Sequence, residues 1–149
     1  MDVVKLYLDT CCYGRPGDDH SDFDTLMESD AILNIVQLAG KNYIIFGSFA
    51  LDEELAACPY EKQRLNALAL YNRAVSARAE HIEHVFNQYI PIAMAAGIRG
   101  MDTLHLCYAI AAEVDYLLTT DEKFLKRAAK LTLPIKVINP INLPIGGTL

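Results

Sequence analysis

The stretch IRGMDTLHLCYAIAAEVDYLLTTDEKF, Ile98 to Phe124, decides how the rest of the chain is read. An acid, Asp102, stands where an apolar run begins. Leu104, Leu106, Cys107, Tyr108, Ile110, Ala111 and Ala112 follow with almost no polar face, the pattern of a buried helix. Tyr116-Leu117-Leu118-Thr119-Thr120 then reads as a short buried strand. A second acid, Asp121, follows it at the start of a helix carrying Phe124, Leu125 and Ala128. A helix from Asp102 to Glu113 rises about 1.5 Å per residue, roughly 17 Å in all. A strand of about five residues, at about 3.3 Å each, runs roughly 16 Å back. Asp102 and Asp121 therefore meet on one edge of a sheet, the edge where open α/β sheets take their ligands.

Upstream, Val3 to Leu8 reads as a strand that runs into Asp9, and Gly14-Arg15-Pro16-Gly17-Asp18-Asp19 as a loop. A helix from about Asp22 carries Phe23, Leu26, Ile32, Ile35, Val36 and Leu38 and stops at Gly40. Tyr43 to Phe46 is a second strand. A helix beginning near Ser48 holds Asp52, Glu53 and Glu54 and is ended by Pro59. A longer helix is expected from about Tyr60 to Arg78, and another from Tyr89 to Ala96. The residues between Ala79 and Val85 fit either helix or edge strand. Downstream come a helix to about Leu131, a last strand from Pro134 to Ile138, and an extended tail from Asn139 to Pro144. Strands alternating with helices imply a mainly parallel sheet flanked by helices. Asp9 then follows the first strand, and Glu53 and Glu54 open the helix after the second. They share an edge with Asp102 and Asp121.

The whole chain, residues 1–149, is expected to form one α/β domain, burying about 70% of the surface exposed by the unfolded chain. No apolar run reaches the roughly 18 residues of a membrane span. The opening MDVVKLYLDT lacks the basic and apolar regions of a signal peptide, so a cytoplasmic location is expected. Cys11, Cys12, Cys58 and Cys107 have neither zinc-site nor disulfide-framework spacing and read as reduced, buried thiols. A net charge of −6 argues against a general nucleic-acid coat protein. It leaves a nuclease open, because bound divalent cations would invert the local sign.

Crowded carboxylates repel one another unless cations compensate. Oxygen donors suit Mg²⁺ or Mn²⁺, which are often completed by substrate phosphates. Such a centre can activate water for attack at phosphorus, so a phosphodiester is the expected substrate.

The ordered set of segments resembles the PIN-domain nucleases. It comprises Leu8-Asp9-Thr10 closing a strand, the helix-borne Glu54-Leu55, Asp102-Thr103-Leu104-His105-Leu106, and Thr119-Thr120-Asp121-Glu122-Lys123-Phe124. The resemblance implies a PIN-like α/β/α sandwich and a Mg²⁺- or Mn²⁺-dependent ribonuclease, a hydrolase of RNA that is often the toxin of a toxin–antitoxin pair. Asp9, Glu54, Asp102 and Asp121 would hold the metal and carry catalysis, with Thr119 supporting them. A cognate antitoxin protein and a homodimer are the partners it suggests. Where the family commonly has Asn or Ser two residues after the first Asp, this chain has Cys11. The alternative is a PIN-like module that binds RNA or protein with little or no cleavage.

Other readings compete at single residues. Asp102 or Asp121 alone would be a helix N-cap, which the convergence of Asp9 and Glu54 outweighs. Glu53 and Glu54 lie about 100° apart on a helix, so one of them faces the site. His105 is expected to be a packed histidine with a satisfied ring nitrogen, His81 and His84 surface residues, and Asp115 a turn residue. The basic run Lys123, Lys126, Arg127 and Lys130 starts beside the acids. Arg15, Arg99 and Lys123 are the candidates for phosphate contacts.

Overall fold

The computed structural model describes residues 3–144. In order these form β1 (Val4–Leu8), α1 (Thr10–Gly14), α2 (Phe23–Gln37), β2 (Tyr43–Gly47), α3 (Phe49–Ala56), α4 (Glu61–Ala74), β3 (Ala77–Arg78), α5 (Glu83–Ala95), α6 (Met101–Ala111), β4 (Tyr116–Leu118), α7 (Glu122–Ala128) and β5 (Lys136–Ile138). The strands make one sheet in the order β3-β2-β1-β4-β5, with every pair parallel. Right-handed crossovers place the helices before β3 on one face and those after it on the other. That explains why Leu6, Tyr7 and Leu8 of central β1 are all fully buried: a parallel strand covered on both faces has no solvent side.

The chain leaves β1 in one direction for β2 and β3, then returns to β4 and β5 on the other side. The β1–β4 boundary is thus a topological switch point, where a crevice opens at the carboxyl ends of the strands. Register places the first acid there. Leu8 pairs with Leu118, and the Asp9 amide donates to the Leu118 carbonyl at 2.9 Å.

Local chemistry starts the helices that frame this crevice. The side chains of Asp22, Ser48 and Asp121 cap α2, α3 and α7 by accepting amide hydrogen bonds. Gly100 leads into α6 at φ 58°, a conformation that favours glycine. Gly47 is required for another reason: a Cβ there would overlap the Tyr71 hydroxyl.

Several expectations need correction. Thr10 to Tyr13 is a helix, α1, capped by Asp9, and one turn is too short for periodicity to reveal. The helix expected to reach Arg78 stops at Ala74, and Ala77–Arg78 becomes strand β3. The cause is tertiary: the open edge of β2 takes the Ser76 amide on Ile45 O at 3.1 Å and the Ala79 amide on Gly47 O at 2.8 Å. α5 begins at Glu83, six residues before the expected Tyr89, with Pro91 inside it. Thr119 and Thr120 lie just past β4, although the Thr119 amide still bonds Ile138 O at 3.0 Å. α7 ends at Ala128, short of Leu131. The last strand starts at Lys136, two residues after Pro134, and the tail makes a 3-10 turn at Pro140–Asn142.

Candidate active site

Asp9 is buried at the end of β1. Its Oδ1 accepts the Thr10 amide at 2.7 Å, and its Oδ2 accepts the Thr119 hydroxyl at 2.8 Å. The Thr119 oxygen in turn accepts the Asp121 amide at 3.1 Å. One buried hydroxyl therefore ties the acid after β1 to the acid after β4. Asp121 is a true cap: its Oδ1 accepts the amides of Lys123 at 2.9 Å and Phe124 at 3.2 Å.

Glu54 faces this group from α3, while Glu53 is exposed, which settles the choice between them. Its Oε1 accepts the Thr10 hydroxyl and lies 2.7 Å from His105 Nε2. The His105 hydrogen bond, opposed by burial and helped by the Thr10 hydroxyl, holds the Glu54 carboxyl below its ordinary range.

Asp102 behaves differently. It is the second residue of α6 and makes no capping bond, so the cap reading fails for it. Among the described residues no group donates a hydrogen bond to its carboxylate, although it is half-buried. Burial raises its pKa, and the charges of Asp9, Asp121 and Glu54 push it further against the opposing effect of His105, to about 7. Asp102 thus lies within electrostatic reach of the carboxylates of Asp9, Glu54 and Asp121.

The fit to a divalent cation can be judged from the oxygens. Asp9, Glu54 and Asp121 are each anchored by hydrogen bonds, and Asp102 is electrostatically destabilised with no donor. A hard cation would supply the missing positive charge, and carboxylate oxygens are donors that suit a divalent cation. His105 also enters this space: it, Asp9 and Glu54 each bring one ligand-capable atom within 4.8 Å of the others. It is fully buried with both ring nitrogens partnered, as the sequence suggests, yet its partners belong to the site. The available signal was its spacing three residues after Asp102, which puts both on one helix face.

The other expected residues distribute as follows. Cys11 lies against the site, its Sγ accepting the Thr120 amide at 3.3 Å and standing 3.5 Å from Asp9 Oδ2. Arg15 is internally engaged: Nη1 pairs with Asp18 at 3.1 Å, Nε lies 3.2 Å from Glu28 Oε1, and Nη2 donates to the Thr120 hydroxyl at 2.8 Å. The Nε contact is an ion pair without hydrogen-bond alignment. Lys123 and Arg99 are exposed. His81 and His84 are also exposed, and Asp115 lies at the opposite end of the sheet.

A five-stranded parallel sheet in the order β3-β2-β1-β4-β5, flanked by helices and with acids at its carboxyl edge, makes an α/β sandwich. The chain is similar to one in the crystal structure of VapBC2 from Rickettsia felis bound to a DNA fragment from their promoter. That similarity has a TM-score of 0.65 and 17% identity, and covers 91% of this chain and 98% of the other. At such identity the likeness is one of fold. No protein-family model and no curated protein matches the sequence.

Proposed function

We propose that this chain is a Mg²⁺- or Mn²⁺-dependent endoribonuclease acting as the toxin of a toxin–antitoxin pair. The observation that carries the reading is Asp102, half-buried among Asp9, Glu54 and Asp121 with no hydrogen-bond donor of its own. Asp9, Glu54, Asp102 and Asp121 would hold the cation. When bound, it supplies positive charge to a phosphodiester and makes water a stronger nucleophile at neutral pH. The chain's own part is arrangement. Thr119 fixes the Asp9 carboxylate and the Asp121 backbone together, Thr10 and His105 fix Glu54, and the α7 cap orients Asp121. Lys123, exposed in the first turn of α7, offers its ammonium to a backbone phosphate at the rim.

The similar solved structure is a complex, VapBC2, which supports an antitoxin partner for this chain as well. α2 leaves Phe23, Leu26, Met27 and Leu33 exposed, an apolar surface that such a protein would cover. The alternative of a module that binds without cleaving fits less well, because binding alone does not require an unpaired carboxylate held among three others.

The test is cleavage of single-stranded RNA by purified protein. Cleavage should require Mg²⁺ or Mn²⁺ and stop in excess chelator. Undiminished cleavage under chelation, or none with either metal, would refute the nuclease reading. Repeated isolation of the active chain alone from native extract, tolerated by its host, would refute the toxin role.

A further inference from the structure

His105, Tyr7 and Ser48 form a buried polar chain behind Glu54, and all three are fully excluded from solvent. His105 Nδ1 lies 2.7 Å from the Tyr7 hydroxyl, which lies 2.7 Å from Ser48 Oγ. Ser48 Oγ also accepts the Leu51 amide at 3.1 Å, as the cap of α3. The α3 helix it caps is the one that carries Glu54.

Counting protons orders this chain. If Nδ1 carried the proton, it would donate to Tyr7, and Tyr7 would donate to Ser48. Ser48 Oγ would then accept two hydrogen bonds, and its own proton would have no acceptor among the described residues. A buried donor left unmade is costly, and no solvent reaches these groups. The opposite order satisfies every group: Ser48 donates to Tyr7, Tyr7 donates to Nδ1, and the proton remains on Nε2. Nε2–H then points at Glu54 Oε1, 2.7 Å away. The Thr10 hydroxyl donates to the same oxygen. Among the described residues nothing donates to Oε2.

We infer that His105, oriented by Tyr7 and Ser48, is a positioning residue that tethers Glu54 through Oε1 and presents Oε2 to the cation. The inference rests on the metal-dependent reading above and deepens it. His105 has its Nε2 proton on Glu54 and therefore lends the centre no nitrogen donor. The arrangement places a satisfied hydrogen-bond relay behind a carboxylate ligand, as outer groups commonly do at metal sites.

The metal-free protein provides the first test. The ¹⁵N shifts of the His105 ring should show the Nε2–H tautomer, and an Nδ1–H tautomer or an averaged ring would overturn the inference. Mn²⁺ affinity, followed by calorimetry with the metal alone, provides the second. His105→Leu should weaken it roughly 10- to 100-fold. His105→Gln, whose amide can donate to Glu54, should regain most of that loss. Should His105→Leu not fold, Tyr7→Phe keeps the ring and removes only the hydroxyl that orients the imidazole. It should also weaken Mn²⁺ binding, whereas wild-type affinity in a folded Tyr7→Phe or His105→Leu variant would overturn the inference. Imidazole nitrogen coupling to bound Mn²⁺ in an electron–nuclear resonance spectrum would overturn it too, by making His105 a ligand. Failure of the wild type to bind Mn²⁺ at all would instead sink the nuclease reading, an outcome distinct from a wrong tautomer or an unaffected variant.

Discussion

The two ends of the sheet treat an aspartate in opposite ways. At the amino end, Asp115 is exposed and hydrogen-bonded through both its side chain and its backbone. Its Oδ2 accepts the Lys5 amide at 2.8 Å, its own amide bonds Lys5 O at 2.9 Å, and its carbonyl accepts the Lys136 amide at 3.2 Å. At the carboxyl end, Asp102 is half-buried, surrounded by acids and without a donor. Asp121 stands between these extremes, near the acids but anchored as a helix cap. An acid with structural work is hydrogen-bonded, and an acid left unpaired in a crowded crevice is relieved by a proton or by a cation. Sheet polarity makes the difference, because only the carboxyl edge at the β1–β4 switch point opens a crevice.

The contrast is broken most directly by cleavage. Asp102→Asn should lose Mn²⁺-dependent RNA hydrolysis by more than the roughly 10–100-fold typical of removing a group behind a ligand. Asp115→Asn should cleave like wild type in the same gel assay. Equal activity of the two variants would erase the distinction between the two ends.

Metal-linked stability sharpens it next. Wild type should gain about 2.7 kcal/mol at a Mn²⁺ concentration about 100 times its dissociation constant. Thermal melts should show that Asp102→Asn loses most of this gain and Asp115→Asn keeps it.

Proton linkage isolates Asp102 in the absence of metal. Its folded pKa is about 7, against an ordinary value of 3.8. Between these values the native state holds a proton that the unfolded chain has released. Stability should therefore fall as pH rises through that window and level off above about 7. Denaturant titrations from about pH 5 to about pH 8 avoid the Glu54 transition, because the carboxyl of Glu54 is held below its ordinary 4.5. Asp102→Asn should flatten the slope, and a slope unchanged in the variant would assign it to another group.

Asp121 separates capping from charge. Asp121→Asn should keep nearly full metal-free stability, since Asn caps as well as Asp, while Asp121→Ala should cost about 1 kcal/mol. The two variants should be alike in weakening Mn²⁺ binding. The smallest effect is expected at Lys123, where Lys123→Ala should leave the melt unchanged and lower the salt slope of RNA binding by roughly 1. A salt dependence identical to wild type would place the phosphate contact elsewhere.

Much of this contrast is legible along the chain. The alternation of strands and helices puts Asp9, the Glu53–Glu54 pair, Asp102 and Asp121 on one edge without any tertiary information, and the helix-flanked parallel sheet appears as expected. Asp121 looks like a cap and is one, whereas Asp102 looks like a cap and is not. The two look alike because each is an Asp before an apolar run, and a propensity cannot tell the capping position from the second helical residue. Arg15, a candidate for phosphate contacts along the chain, is paired with Asp18 and Glu28 in the fold. β3 is hidden for a related reason, since the pull of β2's open edge is absent from the residues that answer it.

By itself, then, the sequence determined the layered α/β order and the edge on which the acids gather. Both follow from burial periodicity and from the lengths of successive elements, which are properties of neighbouring residues. Only the tertiary structure decided that Glu54 and not Glu53 turns inward, that Asp102 has no donor, and that Tyr7 and Ser48 stand behind His105. These depend on strand register and on side chains far apart in sequence. Tyr7 meets Ser48 across 41 positions and His105 across 98. Hydrogen bonds act over about 3 Å, so such partners are set by where the packed sheet brings them, and no local pattern records it.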